Sequence, residues 1–520
     1  MSALRPTLTR RTAIAAAAAV WAAACSDRSA APDRLLRAAV DSEPDSLDPL
    51  KGQFASSALF YKQLHAPLTE YAPSGGLAPG LAETWRTGDG ARTWRFRLRG
   101  GLVWSDGAPL TAEDVVWTAR RAVDPRTGFA DLGDFFAVKG AAAALRGESD
   151  PAEIGVHAPD ARTVVFELDR PVGLFPVLMR EFYPLPRHAV EARPEDWIRS
   201  ENWVSAGPYL LASNGALRYR LEKNPLFSAA DSVAVEAVEV SVIEDGAARA
   251  RAFRAGDLDL ADRPPGDQIA FLRERLGDQL RAYDAPILSY LKVNCARPAL
   301  SDPRVRRALS LAIGRDRLNR QFFNGEASPT NRIIPHPETP EPPGAQPDAA
   351  RQLLAEAGFS GDAPLQLTLR ATAGDRDRLA VAMMDDLAAA GVRCELLATY
   401  PLDLYQAVDA GDYDLALGRF DRGLKSDAAF MIQPFTRNGF ADNTNWTGPR
   451  RSAFDALITA ANGEPDTGAR AGLLDEAERI FLEEMSSIPL LFEKAYWMIA
   501  ARLQAPEDIQ PQLWRDLVLR

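Results

Sequence analysis

The chain has 520 residues, room for about three domains, with 46% apolar and 25% charged residues as in ordinary globular proteins. This composition excludes global disorder. The net charge of −11 argues against a general nucleic-acid binder, which needs a basic surface to meet the phosphate backbone.

The first 24 residues are predicted to be an export signal peptide. Arg10 and Arg11, which resemble a twin-arginine signal, precede an alanine-rich run over 13–24 that is shorter than the ~20 residues needed to span a bilayer. The run ends in AAAC at Cys25, which resembles a lipobox with Ala22 in place of the usual Leu or Val. We therefore expect Cys25 to carry a lipid that tethers the mature chain to a membrane. Ordinary cleavage before Cys25 is the alternative.

Strands are predicted where apolar and polar residues alternate. In RTWRFRLR, residues 92–99, Trp94, Phe96 and Leu98 share one face, which indicates a half-buried strand. The same pattern predicts strands over 162–169, 235–243, 288–294 and 363–372.

The stretch GLVWSDGAPLTAEDVVW, residues 101–117, gathers three carboxylates, but each polar residue has a structural explanation. Ser105, Asp106 and Gly107 are typical of a turn. Thr111 is predicted to cap a helix, and Asp114 to complete a capping box with it. The stretch therefore predicts a turn and a capped helix instead of a catalytic loop.

Later helices are bounded by caps. Asp302 and Pro303 begin a helix over 301–313, and Gly358 and Gly391 end two others. The predicted helices cover 301–313, 348–359, 378–392 and 475–485. The proline-rich residues 335–348 predict a surface loop. The mixture of strands and helices indicates an α/β or α+β protein.

Motifs for catalysis are missing from the sequence. The four histidines have no zinc-binding spacing, and there is no nucleophile elbow and no P-loop. Ser289 and Lys292 fit S-x-x-K, but on an alternating strand they face opposite sides. Cys295 and Cys394 are expected to be buried free thiols. We therefore expect no enzyme activity, no metal and no cofactor.

Eight segments, in order, resemble the peptide/nickel family (family 5) of solute-binding proteins of ABC transporters. The most distinctive is WSDGAPLTAED within residues 101–117, which resembles the W-S-D-G-x-P-[VL]-T-A-x-D signature of that family. The other seven are SEPDSLDPL (42–50), LAPGLAETW (77–85), SAGPYLL (205–211), RAGDLDLA (254–261), LKVNCARPALSDPRVRRALSLAIGRD (291–316), ARQLLAEAGF (350–359) and YDLALGRF (413–420).

The resemblance implies an α/β, bilobal fold like that of periplasmic binding proteins of type II (cluster C), with an extra subdomain inserted in lobe I. Lobe I is expected to comprise 33–62, 186–286 and 489–520, the inserted subdomain 63–185, and lobe II 287–488. A hinge joins the lobes, which close over a solute.

The implied function is capture of an oligopeptide or peptide-like solute outside the cytoplasmic membrane, in the periplasm or cell envelope, for delivery to an ABC permease. The protein is expected to be a monomer without a nucleic-acid partner. Alternatives on the same fold are a binder of a metal chelate, opine, sugar or glycoconjugate, a sensor that presents its solute to a membrane partner, and, less favoured, a hydrolase.

The same resemblance implies that the binding site includes the loop after YDLAL. The position of the amine-binding aspartate of oligopeptide binders corresponds here to Gly423, and their two arginine positions to Val408 and Leu417. These departures favour other residues of the loop as ligand contacts, and Trp446 could stack on a solute. The candidates are Arg419, Phe420, Asp421, Arg422, Asp427 and Trp446, with Lys51 and Tyr61 as weaker ones.

Overall fold

A computed structural model describes residues 34–520 except 53, 73–75, 128–136, 337–341, 343, 422–427, 438–440, 465 and 508–509. The predicted signal peptide and Cys25 lie outside the described residues. The described chain is mixed α/β, with one 11-stranded sheet, one four-stranded sheet and two small two-stranded sheets. In this part of the chain, every helix falls short of the length and apolarity that crossing a membrane requires.

The strands are numbered in chain order. They are β1 (Leu35–Val40), β2 (Thr69–Tyr71), β3 (Leu77–Pro79), β4 (Ala82–Gly88), β5 (Thr93–Leu98), β6 (Val156–Asp160), β7 (Thr163–Glu167), β8 (Tyr209–Gly215), β9 (Arg218–Lys223), β10 (Ala237–Val242), β11 (Leu260–Asp262), β12 (Leu280–Val293), β13 (Ser328–Pro329), β14 (Leu365–Thr372), β15 (Val392–Thr399), β16 (Leu415–Asp421), β17 (Ser487–Ile499), β18 (Leu503–Gln504) and β19 (Val518–Leu519).

The helices are numbered in the same way. They are α1 (Ala55–Leu64), α2 (Ala112–Ala122), α3 (Ala141–Leu145), α4 (Phe175–Leu178), α5 (Arg187–Ala192), α6 (Gly246–Arg254), α7 (Ile269–Leu276), α8 (Pro303–Ala312), α9 (Arg315–Phe322), α10 (Pro347–Glu356), α11 (Asp375–Ala389), α12 (Pro401–Asp409), α13 (Ala429–Ile432), α14 (Pro449–Gly463) and α15 (Thr467–Glu484).

The large sheet runs in the order β15-β14-β16-β12-β17-β11-β1-β10-β9-β8, and β13 also pairs with β17. The two longest strands, β12 and β17, are antiparallel neighbours at its centre. Their first common part, where Leu280 pairs with Met498, adjoins β11 and β1. Their second part, from Ile287 opposite Glu493 onward, adjoins β16. We call the β1 side lobe I and the β16 side lobe II.

A register shift separates the two parts of this ribbon. Regular pairing stops at Asp284 and resumes at Ile287, so residues 285 and 286 form an irregular step between the lobes. Such a bulge bends a strand and raises its local twist. The lobes are therefore connected by a ribbon that is irregular where it passes from one to the other. The lobe boundaries predicted from sequence stay a prediction.

Each lobe has hydrophobic clusters of its own. Lobe II has one on each face of its sheet, around Leu291 on one side and around Tyr290 on the other. The cluster of lobe I extends into the four-stranded sheet β4-β5-β7-β6, where Trp94 and Phe96 are buried as their alternation predicts. The chain that follows β7 of this sheet also meets lobe II, since Leu174 packs in the cluster around Tyr290.

Several sequence predictions are confirmed. Asp302 accepts a hydrogen bond from the Arg304 amide at 2.8 Å, with Pro303 at the first position of α8. The capping box at the start of α2 is present, and Asp114 Oδ2 accepts a hydrogen bond from the Thr111 amide at 2.8 Å. Cys295 and Cys394 are free thiols as predicted, although they are partly buried and not fully buried.

Several boundaries differ from the predictions. The strand predicted over 288–294 begins at Leu280, because its first half belongs to lobe I and lacks the same apolar run. The helix predicted over 475–485 begins at Thr467, where the Asp466 side chain accepts a hydrogen bond from the Ala469 amide. The helix predicted over 378–392 starts at Asp375, and Pro347 rather than Asp348 begins α10.

His65 follows α1 and is enclosed by aromatic rings. Its side chain is 2% exposed, and the rings of Tyr61, Tyr183, Trp197 and Trp203 lie 5.4 to 6.4 Å from its own. Burial disfavours the charged imidazolium and lowers the pKa of His65 to about 4.

We predict that replacing Asp114 by Ala lowers the free energy of unfolding by about 1 kcal/mol, because the Thr111 amide loses its cap. Ligand binding should be retained, since Asp114 is not in the cleft described below. Chemical denaturation and ligand titration measure both effects, with Glu113→Ala as the control from the same helix turn. Lost binding at unchanged stability would contradict the structural role.

We predict that His65 makes stability fall at low pH. The folded pKa is below the ~6.5 of an exposed histidine, so the unfolded chain binds the proton more readily. Above pH ~6.5, His65 should not affect the free energy of unfolding. Between pH ~6.5 and ~4, His65 should lower that free energy by roughly 1 kcal/mol per pH unit. His65→Phe should flatten this slope in denaturation curves at pH 7.5 and 5, whereas His157→Gln, at an exposed histidine, should not.

Candidate functional site

A cleft of about 1380 Å³ lies between the lobes. Lobe I contributes residues 245–247, 249 and 262–267 to its lining, and lobe II contributes residues from α9, α11 and the end of β16. Residues 493–497 of β17 form its floor. The cleft therefore borders the place where the β12–β17 ribbon passes from one lobe to the other.

Glu493 lies at this floor and is held by groups from three other elements. Arg376 in the first turn of α11 donates from Nη2 to Glu493 Oε1 at 2.8 Å. Arg419 on β16 donates from Nε to Glu493 Oε2 at 3.1 Å. The Ser289 hydroxyl on β12 donates to Glu493 Oε1 and accepts a hydrogen bond from Arg376 Nη1 at 2.7 Å. We call these four residues the Glu493 cluster.

Sheet register explains why three of these residues meet. Ser289 pairs with Arg419 across β12 and β16, and Ile287, two residues earlier, pairs with Glu493. Residues two apart on a strand point to the same face, so all three side chains project from one face of the sheet. Arg419 and Glu493 reach the lining of the cleft, and Ser289 is buried beneath them. Arg376 reaches them from the start of α11, which begins directly after the turn at Gly374 (φ +106°).

The electrostatics of the Glu493 cluster depend on its guanidinium groups. The Glu493 side chain is 10% exposed. Burial alone would raise the pKa of this carboxyl, but Arg376 and Arg419 outweigh that effect and lower it to about 2. Glu493 is therefore a permanent anion in the floor of the cleft at physiological pH.

A second charged group lines the cleft on the side of lobe I. Arg263 follows β11 in a left-handed backbone conformation (φ +49°) and donates to Asp41 Oδ2 at 2.5 Å. Its Nε lies 3.6 Å from Asp262 Oδ2. Asp262 Oδ1 is buried and has no hydrogen-bond partner in the described structure. Burial raises the pKa of Asp262.

Two of the six sequence candidates line the cleft. Arg419 and Asp421 project into it, and their charged groups are 3.9 Å apart. Phe420, between them, faces the opposite side and packs against Tyr290 and Phe435. Trp446 is 5% exposed and packs on Phe454 and Phe481. Arg422 and Asp427 lie outside the described residues.

The two weaker candidates are not in the lining of the cleft. The buried Tyr61 hydroxyl donates to the carbonyls of Ser46 and Asp48 at 2.8 and 3.1 Å, which ties α1 to the segment before it. Lys51 is exposed. Within the described ranges, no group of three His, Cys, Asp or Glu side chains is arranged to hold a metal ion.

Sequence reasoning missed Arg376 and Glu493. Glu493 interrupts the apolar run IPLLFEKAYW, and a carboxylate in a buried strand is a signal that could have marked it. Arg376 gave no such signal, because charged residues are common at the start of a helix. The S-x-x-K residues were predicted to face opposite sides, and they do. Ser289 joins the Glu493 cluster, whereas Lys292 donates to Asn443 at 2.8 Å.

Comparison with known proteins identifies relatives for nearly the whole chain. The family model described as bacterial extracellular solute-binding proteins, family 5, matches residues 76–442. The probable deoxycholate-binding periplasmic protein YgiS of Escherichia coli is 28% identical over 482 residues, 89% of each chain. The periplasmic oligopeptide-binding protein OppA of Haemophilus influenzae is 27% identical over 470 residues, 86% of each chain.

Solved structures agree with these relatives. The Haemophilus influenzae OppA complex with the peptide RPPGFSPFR superposes with a TM-score of 0.76 at 25% identity, covering 94% of this chain and 99% of that one. The murein tripeptide binding protein MppA of Escherichia coli gives a TM-score of 0.77 at 24% identity over the same shares. The bilobal fold expected from the sequence is therefore confirmed.

We predict that Asp262→Asn raises the melting temperature. The folded pKa of Asp262 lies above its unfolded value, so burying the ionised carboxylate destabilises the fold increasingly as pH rises above ~4. The neutral amide removes that cost. Thermal unfolding at pH 4 and pH 8 should show the larger gain at pH 8, and Asp267→Asn, at an exposed position in the same lining, should show none. A larger gain at pH 4 would contradict this.

Proposed function

The chain belongs to the bacterial extracellular solute-binding proteins of family 5, and from that premise we propose that it captures an oligopeptide or a peptide-like solute in the interlobe cleft. Proteins of this family are substrate-binding components of ABC importers. The chain acts outside the cytoplasmic membrane, where it delivers its solute to the permease. Our proposal concerns the chemical class of that solute.

The observation that carries the proposal is the edge of strand β16 beside the cleft, which β14 leaves partly unpaired. Strand β14 pairs with β16 only at Leu415 and Ala416, so residues 417–419 continue past the last pair with β14. Main-chain groups of an extended strand can pair with an extended peptide, as in strand addition. A cleft of about 1380 Å³ also exceeds the ~300–1,000 Å³ typical of a small-molecule site, which leaves room for several peptide residues.

We assign the polar contacts to Arg419 and Asp421, joined by Arg376 and Glu493. All four line the cleft. Arg422 and Asp427 stay predicted contacts. Phe420 and Trp446 belong to the hydrophobic cluster behind the wall, so they would touch a solute only if that cluster rearranged. Their role as contacts also stays a prediction.

An amphipathic non-peptide solute is the second candidate. One relative is named as a probable deoxycholate-binding protein. The cleft also has partly exposed apolar side chains that could contact a hydrophobic body, namely Phe322, Phe323, Val381 and Leu396. The position of the amine-binding aspartate in oligopeptide binders, Gly423, offers no charge for a peptide amine. Metal chelates, opines and glycoconjugates have no comparable support.

A hydrolase on this scaffold is less favoured than either solute. The family to which this chain belongs consists of solute-binding proteins of transporters and not of enzymes. The charged groups at the floor of the cleft are engaged in ion pairs, and Ser289 donates to a carboxylate that two guanidiniums keep ionised. A nucleophilic serine needs a neighbouring base that can take its proton, and a carboxyl with a pKa of about 2 is a poor one.

We predict that pools of tri- to pentapeptides raise the melting temperature, because a solute that binds only the folded protein stabilises it by ~2.7 kcal/mol at one hundred times its Kd. Arg419→Ala should weaken the response by at least tenfold in apparent affinity. Arg393→Ala, an exposed arginine of the same lobe away from the cleft lining, should leave it unchanged. Native mass spectrometry of protein purified from cells identifies a co-purified solute independently.

The same assay includes deoxycholate as a separate arm. A shift with deoxycholate and none with any peptide pool would replace the peptide proposal with the second candidate. An equal response of Arg419→Ala and Arg393→Ala would mean that the solute does not contact Arg419.

A further inference from the structure

The Glu493 carboxylate occupies a place built like an anion-binding site. Two guanidiniums and one hydroxyl converge on its two oxygens, with three hydrogen bonds from Arg376, Arg419 and Ser289. Charge-assisted hydrogen bonds of arginine are the usual means by which proteins bind a carboxylate. Here the carboxylate belongs to the protein itself, at the floor of the cleft where a solute would otherwise supply one.

The positive and negative charges in and beside the Glu493 cluster are equal in number. Asp421 lies 3.9 Å from Arg419, so the cluster and its neighbour comprise two guanidiniums and two carboxylates within ion-pair distance. A further anion brought to the floor of the cleft would meet Glu493, which is charged and 90% buried. Like charges in a partly desolvated site repel strongly, because water screens them poorly there.

We propose that Glu493 is a specificity-determining residue, a built-in carboxylate that fills the anion site formed by Arg376, Arg419 and Ser289. The cleft therefore selects solutes that present a neutral hydrogen-bonding group, not an anion, at its floor. This inference rests on the proposed function for the identity of the solute, but the filled anion site can be tested without it.

The test removes the built-in charge with Glu493→Gln, which keeps the shape of the side chain. The variant holds two guanidiniums opposite a single remaining carboxylate, so a small external carboxylate should bind beside the amide from the cleft, which Arg376 and Arg419 line. We expect acetate, compared with chloride at equal ionic strength, to raise the melting temperature of Glu493→Gln and not that of the wild type. The double variant Arg376→Gln/Glu493→Gln restores the charge balance and should lose the acetate response.

Peptide pools test the consequence for the solute. Two pools of tetrapeptides, one containing Gln and the other Glu at the same randomised position, are titrated by calorimetry. The wild type should prefer the Gln pool, and Glu493→Gln should shift the ratio of affinities at least tenfold toward the Glu pool. An unchanged ratio in a variant that still binds peptides would overturn the proposal, and so would a lack of any acetate response.

The outcomes separate the peptide function from the filled anion site. If the wild type binds neither pool, the peptide function fails, and the acetate measurement still decides whether Glu493 fills an anion site. If Glu493→Gln folds only with acetate present, that dependence itself supports the site. If it does not fold at all, Asp421→Asn removes the neighbouring charge and leaves the pairs of Glu493 intact. Because Glu493 still fills the anion site, no acetate response is then expected, and a response would overturn the proposal.

Discussion

The antiparallel pairing of β12 with β17 is the interaction on which the other features depend. Both strands run through the two lobes, and each lobe adds its remaining strands to a different part of this ribbon. The step in the register between Asp284 and Ile287 falls where the strands pass between the lobes. The hydrophobic clusters of lobe I and those of lobe II both end at this point, and the cleft lies between them. The ribbon therefore determines the location of the cleft as well as the division of the fold.

The same ribbon explains why a buried charge cluster lies where it does. A buried ion pair costs desolvation energy that its attraction repays only with favourable geometry, so it is weak support for stability. The hydrogen bonds from Arg376, Arg419 and Ser289 provide such geometry around Glu493. They also connect α11, β12, β16 and β17 at the base of lobe II. The position of these charges, next to the cleft and not inside a hydrophobic cluster, is the reason why we propose that they contact a solute.

The fold was predictable from sequence to a greater extent than the site. Caps such as Asp302 and the Thr111–Asp114 pair depend on neighbours within three residues, so local sequence reveals them. The contact between Arg376 and Glu493 joins residues 117 positions apart, and no local pattern encodes it. The candidates 419–421 were chosen as a continuous loop, but they end a strand. Alternation therefore sends Arg419 and Asp421 into the cleft and Phe420 into the hydrophobic cluster.

The two free thiols, Cys295 and Cys394, have a consequence for how the chain reaches its place of action. Both are partly buried, and burial raises the pKa of each thiol to about 11, so the reactive thiolate is scarce at neutral pH. Since neither thiol forms a disulfide in the described structure, the fold does not require an oxidising environment. Folding can be completed on either side of the cytoplasmic membrane without an oxidoreductase. The mature structure is consequently compatible with export either as an unfolded or as an already folded chain.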